Sequence, residues 1–246
     1  MSGWLGARHV HVEQAGSTND EAAELARDGA AHGTIITAEE QTAGRGRGDH
    51  SWHSPPGQNL YLSVVLRPPL EPRHVPPITL AAGVGVCEAV NSHGVAASLK
   101  WPNDVLVGRR KMAGILTEMS THGQMLEHVV LGIGVNVDIE AFPPQLGAIA
   151  TSLRIETGAS ISASDFLVTL LPTLETWLDR FFAGGIGAIA EPWTQRVELG
   201  ARVRVITGTE VVEGLQLGLD DEGGLRVRTD DGSIRRVVAG DVELLR

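Results

Sequence analysis

The stretch LKWPNDVLVGRRKMAGILTE, residues 99–118, decides how the rest of this chain reads. It holds Lys100 and Lys111, the only two lysines among 246 residues, beside 18 arginines. A chain that meets its ordinary ion-pair needs with arginine keeps lysine where guanidinium serves badly, as a compact, mobile point charge that follows a changing anion. A solvated face would account for either lysine alone; two of two within one segment call for more. Pro102 biases Trp101 to extended backbone and ends a strand over 98–101. Asn103 and Asp104 then stand at a turn. An Asx turn is the common reason for such a pair; the alternative has the carboxylate serving a metal-bound phosphate or taking a proton from an incoming amine.

Outward from this centre, strands follow over 104–107, 110–119 and 126–137, the last two pairing through the turn at 120–124. The alternation of a strand puts Lys111, Ala113, Ile115 and Thr117 on one face, with Gly114 leaving room against the backbone. Gly132 and Gly134 repeat the theme on the neighbouring strand. Glycine weakens a strand, so two on one face point to a close approach, although a bulge or tight packing would explain either alone.

Upstream, 8–14 reads as a short strand, and Thr18 with Glu21 as a capping box opening a helix over 19–28 that Gly29 stops. Residues 34–38 form a buried strand, 39–59 a long loop with six glycines and prolines, 60–66 a strand and 78–92 a tightly packed helix of small residues. Downstream, 142–158 is loop, and helices span 164–182 and about 186–197. The composition then changes: five short strands, at 202–206, 210–218, 224–229, 233–238 and 241–245, are separated by Gly and Asp turns. The expected organisation is a larger domain over 1–197 and a small β-domain over 198–246.

A net charge of −10 argues against a general nucleic-acid binder, which needs a basic footprint. One cysteine, Cys87, excludes an internal disulfide, and the histidines lack metal-ligand spacing. No apolar run approaches the ~18 residues of a membrane span, and the N-terminus lacks the apolar segment of a signal peptide, so the expected compartment is the cytoplasm. Gly44-Arg45-Gly46-Arg47-Gly48 lets the backbone curl its N–H groups toward an anion beside two forked donors. It is neither a P-loop nor a dinucleotide fingerprint. Trp52, stranded among polar neighbours, is either a loop anchor or a platform for a planar ring. A covalent nucleophile has no strong candidate.

Taken in order, Ser17-Thr18-Asn19, Gln41, GRGR at 44–47, Trp52, KWPND at 100–104, KMAGIL at 111–116 and GIGVN at 132–136 resemble a biotin protein ligase. The likeness runs to about residue 140, and the small C-terminal β-domain fits it. It implies an α+β fold: a mixed-sheet catalytic domain like that of class II aminoacyl-tRNA synthetases and biotin–lipoate ligases, then an SH3-like barrel. It implies a ligase that uses ATP and Mg²⁺ to make biotinyl-5'-AMP, releases pyrophosphate, and biotinylates a lysine of an acyl-CoA carboxylase carrier domain. The resemblance gives Ser17, Thr18, Asn19, Gln41, Gly44, Arg45, Lys111, Gly114, Gly132 and Gly134 to biotin. It gives Arg45, Arg47, Trp52, Asn103, Lys111 and Asn136 to the nucleotide, and Lys111, Arg47 and Asp104 to catalysis, Asp104 also to the metal. Lys111 would bridge the biotin carboxylate and the α-phosphate, a role that suits a point charge; Lys100 is left as structural.

Two departures stand out. Between GRGR and Trp52 the chain has Gly48-Asp49-His50-Ser51 in place of further basic residues, which implies a loop less drawn to phosphates. The chain also opens almost at the first helix, with no room for a winged helix-turn-helix, so operator binding is not expected. A lipoate or octanoate ligase or transferase would share the fold but lack GRGR; a non-catalytic biotin-binding regulator would not need Lys111, Arg47 and Asp104 together.

Overall fold

Two β-sheets organise the chain in this computed structural model, which describes residues 3–208 and 210–245. Met1, Ser2, Thr209 and Arg246, which the expected domain bounds include, lie outside the described residues. The first part runs β1 (His9–Ala15), α1 (Thr18–Arg27), β2 (Ile35–Gln41), β3 (Asn59–Leu66), α2 (Ile78–Asn91), β4 (Ala97–Lys100), β5 (Asp104–Val107), β6 (Arg110–His122) and β7 (Met125–Asn136). It continues through α3 (Pro144–Gly147), α4 (Leu153–Thr157), α5 (Ala163–Gly184) and α6 (Ala190–Thr194). The strands join in the order β1-β2-β3-β7-β6-β5-β4. β1 and β2 are parallel, and every other neighbouring pair is antiparallel. The sheet is therefore mixed, as expected.

Both faces of this sheet are covered, but unequally. α2 and α5 lie on one face over the main core. α1 covers only part of the other, over Ile36, Val65 and Val130. The functional residues gather where α1 runs out. β3 is buried along its whole length, so its apolar run does not alternate; Tyr61 and Ser63 are the polar members on the α1 side.

The second sheet holds β8 (Arg202–Thr207), β9 (Glu210–Leu219), β10 (Leu225–Arg228), β11 (Ile234–Val237) and β12 (Asp241–Leu244), in the order β11-β10-β9-β8-β12. All its neighbours are antiparallel, an SH3-like arrangement matching the expected five strands. It meets the first sheet at the central motif: the buried Trp101 donates from Nε1 to the Gly223 carbonyl at 3.1 Å. The Trp101–Pro102 bond is cis.

Four local expectations are corrected. The α1 cap is Ser17, whose Oγ accepts from the Asn19 N–H at 3.3 Å; Thr18 is released from the expected capping box and turns its hydroxyl to Gln41. The expected loop at 39–59 loses its first three residues to β2. The expected loop at 142–158 contains α3 and α4, the latter capped by Ser152 and ended by Gly158 at φ 73°. The expected helix at 186–197 breaks into a 3₁₀ turn over Gly185–Ala188 and the short α6, because glycines here have too little helix propensity to carry one helix through. Among the described residues no helix is long and apolar enough to cross a membrane.

Candidate active site

The site begins with a strand irregularity. Val105 pairs with Ala113 and Leu106 with Lys111, so Met112 is an extra residue, a β-bulge in β6. Strict alternation would have set Lys111 beside Ala113 and Ile115. Instead Met112 and Ala113 both go to the core, and Lys111 comes out on the face of Gly114 and Leu116. That is the α1 side of the sheet. The expectation that Lys111, Ala113, Ile115 and Thr117 share a face is therefore corrected by one residue of bulge.

Lys111 is held by its backbone. Its N–H donates to Ile149 O at 2.7 Å, and its carbonyl accepts from Thr151 N at 3.0 Å and from Asn136 Nδ2 at 3.2 Å. Asn136, expected to line the nucleotide end, is buried; its amide also donates to Thr151 O at 3.0 Å, clipping the 149–151 segment to the strand that carries Lys111.

The Lys111 ammonium lies 2.6 Å from Asp104 Oδ1 and 5.4 Å from the centre of the Trp52 ring. The other oxygen of Asp104 lies 2.8 Å from the Lys100 ammonium. Burial pushes the Asp104 carboxyl up, and Lys111 and Lys100 together outweigh it, holding the group below the ordinary carboxylate range. Asn103 donates to Ile115 O at 2.9 Å, fixing the turn between β4 and β5 against β6.

Away from these charges the cleft is lined by neutral donors and acceptors. Gln41 Oε1 accepts from the N–H and hydroxyl of Thr18 at 2.9 and 3.1 Å, and Gln41 Nε2 donates to Ser54 Oγ at 3.0 Å. Ser54 in turn donates to Trp52 O at 3.0 Å. Ser63 Oγ lies 2.8 Å from Thr18 Oγ1 and 2.6 Å from Asn19 Oδ1, while Asn19 Nδ2 donates to Glu118. Tyr61 donates to Pro55 O at 2.8 Å, and burial pushes its phenol above the ordinary range.

The two glycines of β7 make the hollow. A Cβ on Gly132 would collide with the Asn19 amide, and one on Gly134 would come within 2.6 Å of the Trp52 indole. Trp52 thus packs against strand backbone at Gly114 and Gly134, and its Nε1 is buried without a hydrogen-bond partner among the described residues. The space left in the cleft is about 40 Å³, well below the usual size of a small-molecule site, because the Trp52 indole and the Asn19 amide fill the hollow.

The glycine-rich loop folds over this cleft as a narrow turn. Gly46 N donates to His50 O at 2.6 Å and Trp52 N to Gly44 O at 2.9 Å. Arg45 reaches across the mouth to Asp20 at 2.6 Å and to both oxygens of Glu118 at 3.3 Å. Arg47 points elsewhere, to Gly240 O and the Asp241 carboxylate of the second sheet.

Of the residues expected to hold biotin, nine line the cleft: Ser17, Thr18, Asn19, Gln41, Arg45, Lys111, Gly114, Gly132 and Gly134. Gly44 supports the loop behind it. Trp52 and Asn103 join the lining, while Arg47 lines a larger neighbouring groove. Sequence reasoning missed Ser63, Tyr61, Ser54 and Glu118. Ser63 could have been found, as a lone hydroxyl amino acid within the apolar run LYLSVVL.

Comparison with known proteins bears on the whole chain. Residues 13–136 match the model of the biotin/lipoate A/B protein ligase family, and residues 199–245 match that of the biotin protein ligase C-terminal domain. The chain is 34% identical to the bifunctional ligase/repressor BirA of Bacillus subtilis, over 98% of this chain and 75% of that protein. It is 36% identical to the biotin–[acetyl-CoA-carboxylase] ligase of Paracoccus denitrificans, over 88% of this chain and 92% of that one. Among solved structures, biotin protein ligase from Aquifex aeolicus in complex with biotin and ATP superimposes with a TM-score of 0.83 at 28% identity, covering 98% of this chain and 99% of that one.

Proposed function

The chain belongs to the biotin/lipoate A/B protein ligase family, and from that premise we propose how its residues join biotin to ATP and pass it to a carrier. The protein is a biotin ligase: it activates biotin as biotinyl-5'-AMP and transfers it to a carrier protein, with acetyl-CoA carboxylase as the named acceptor of its relatives. The carboxylate oxygen of biotin attacks the α-phosphorus, pyrophosphate leaves, and a carrier lysine amine then attacks the acyl carbon and expels AMP.

The observation that carries the assignment of roles is the polarity of the cleft. Thr18, Gln41 and Ser63 offer neutral donors and acceptors at one end, suited to a ureido ring, and Lys111 offers an ammonium at the other, suited to a carboxylate and phosphate. Gly132 and Gly134 leave a hollow against the strand, filled here by the Asn19 amide and the Trp52 indole, which a flat ring system takes when Trp52 gives way. Lys111 stabilises charge on the α-phosphate as the displacement proceeds. Arg45 closes the mouth, Arg47 and Trp52 serve the nucleotide, and Asn136 acts by fixing the Lys111 backbone. The carrier lysine enters along the larger groove, which shares Asn103, Ile115 and Leu116 with the cleft. Asp104 follows Asn103 in the chain and pairs with Lys111 at the cleft. We divide these roles at the boundary near Val197, with the second sheet bordering the groove through Gly223 and Arg236.

Mg²⁺ supplies charge neutralisation on ATP when bound. Both oxygens of Asp104 already hold ammonium groups, and no group of three His, Cys, Asp or Glu gathers among the described residues. With Asp104 paired in this way, the described residues offer no protein-built magnesium site, and the ion would be held chiefly by the oxygens of ATP. The net charge of −10 supports a reading without nucleic acid, and the reaction's substrates support a cytoplasmic one.

A lipoyl or octanoyl chain has no ureido group to use Thr18 and Gln41. The test is pyrophosphate release from ATP and Mg²⁺ with biotin, lipoate or octanoate. Release with biotin alone is expected; release with lipoate or octanoate and none with biotin would overturn the reading.

A further inference from the structure

Both lysines of the chain sit on one carboxylate, but they are not equivalent. Asp104 is nearly buried, with 10% of its side chain exposed. Lys100 closes the β4–β5 hairpin directly opposite it and does not line the cleft. Lys111 is on the next strand, past the bulge, and faces Asp104 and the cleft together. We propose that Lys100 is a positioning residue for the ligase reaction, keeping Asp104 compensated so that Lys111 is free to turn to the phosphate.

This role of Lys100 rests on the one proposed for Lys111 and on the energetics of buried charge. A buried carboxylate stripped of its partner is strongly unfavourable. With Lys111 as its sole partner, Asp104 would compete with the α-phosphate for the ammonium, and every turnover would have to break that pair. Lys100 on Oδ2 removes the competition, since Lys100–Asp104 remains neutral after Lys111 leaves Oδ1. The same geometry explains why Lys100 is not one more arginine in a chain with 18 of them. A guanidinium fork would take both oxygens of the carboxylate and evict Lys111, whereas an ammonium occupies one.

The test uses the full chain and single-turnover formation of biotinyl-5'-AMP at saturating biotin and ATP. Lys100→Met should slow this step by about tenfold or more while biotin affinity stays within about twofold, the pattern of an effect confined to the chemical step. In an Asp104→Asn background, where no buried carboxylate is left to compensate, the same substitution should change the rate less than about twofold. Equal losses in both backgrounds, an unchanged rate, or a loss of biotin affinity alone would overturn the proposal. Wild-type protein that makes no biotinyl-5'-AMP would instead overturn the ligase reading. A second measurement needs no variant that has to fold. With ¹⁵N-lysine the chain gives two ammonium signals, and a non-reacting analogue of biotinyl-5'-AMP should move that of Lys111 and leave that of Lys100 in place. Movement of both, or of Lys100 alone, would contradict the proposal.

Discussion

Lys111 shows how much one residue's placement depends on its neighbour. Its chemistry is visible in the sequence, because lysine is scarce and KMAGIL is a recognisable motif. Its direction is not, because nothing in the alternation of residues 110–119 announces a bulge at Met112. Lys111→Ala should lower the rate of adenylate formation by about 100-fold or more, in the range of a lost oxyanion-type donor, while biotin affinity measured by calorimetry falls much less. A large loss of affinity with normal turnover would refute the assigned role. Gly132→Ala tests the other end of the cleft. The added methyl displaces the Asn19 amide from Ser63 and Glu118, so biotin binding should weaken by at least about tenfold, the consequence of disturbing a buried hydrogen-bonded group. Unchanged affinity would show that the Asn19 network is not part of the biotin site. Ser63 was missed although a hydroxyl in an apolar strand marks it; Glu118 carries no such mark, because its partners Asn19 and Arg45 are 99 and 73 residues away.

Among the elements, the glycine-rich loop is the one whose behaviour the sequence leaves open. Glycine content and the acidic substitution at Asp49 favour a loose loop, but Arg45 ties it to Asp20 and Glu118 on the first sheet's side and Arg47 ties it to Asp241 on the second. Exposed ion pairs are each worth about 1 kcal/mol or less, so these ties hold the loop without locking it. Asp241→Asn should raise the rate of trypsin cleavage at Arg47 severalfold in the absence of substrates, an increase that biotin and ATP suppress. Cleavage at the wild-type rate would show that Arg47 gains nothing from the second sheet. Strands and long helices were readable because the length of an apolar run or its period agrees with burial, the former in β3 and the latter in α5. α3 and α4, four and five residues long, give no periodicity to read; only Ser152 and Gly158 mark the second, as cap and stop.

At the scale of the molecule, two sheets of different kinds meet at KWPND, residues 100–104. Trp101 spans that junction, and the groove beside it opens onto Asn103. The core behind the junction protects Cys87, whose thiol is pushed up to about 11, chiefly by burial. Iodoacetamide at pH 8 should therefore label the native chain slowly and the denatured chain fast, with native labelling rising as the pH climbs toward that value. Rapid native labelling at pH 8 would mean that α2 opens readily from β4, where the thiol meets the Ala97 carbonyl. The division into a mixed sheet and a small antiparallel one was legible from the change in composition after about residue 197, whereas the loop-to-sheet contacts that join them are long-range and were not. The central claim is that the cleft between Thr18 and Lys111 activates biotin for transfer to a carrier. Its most direct test is the intact mass of a biotin carboxyl carrier domain incubated with this protein, biotin, ATP and Mg²⁺. A gain of one biotinyl group, lost in Lys111→Ala, is the predicted result; an unchanged carrier mass with no pyrophosphate released would contradict it.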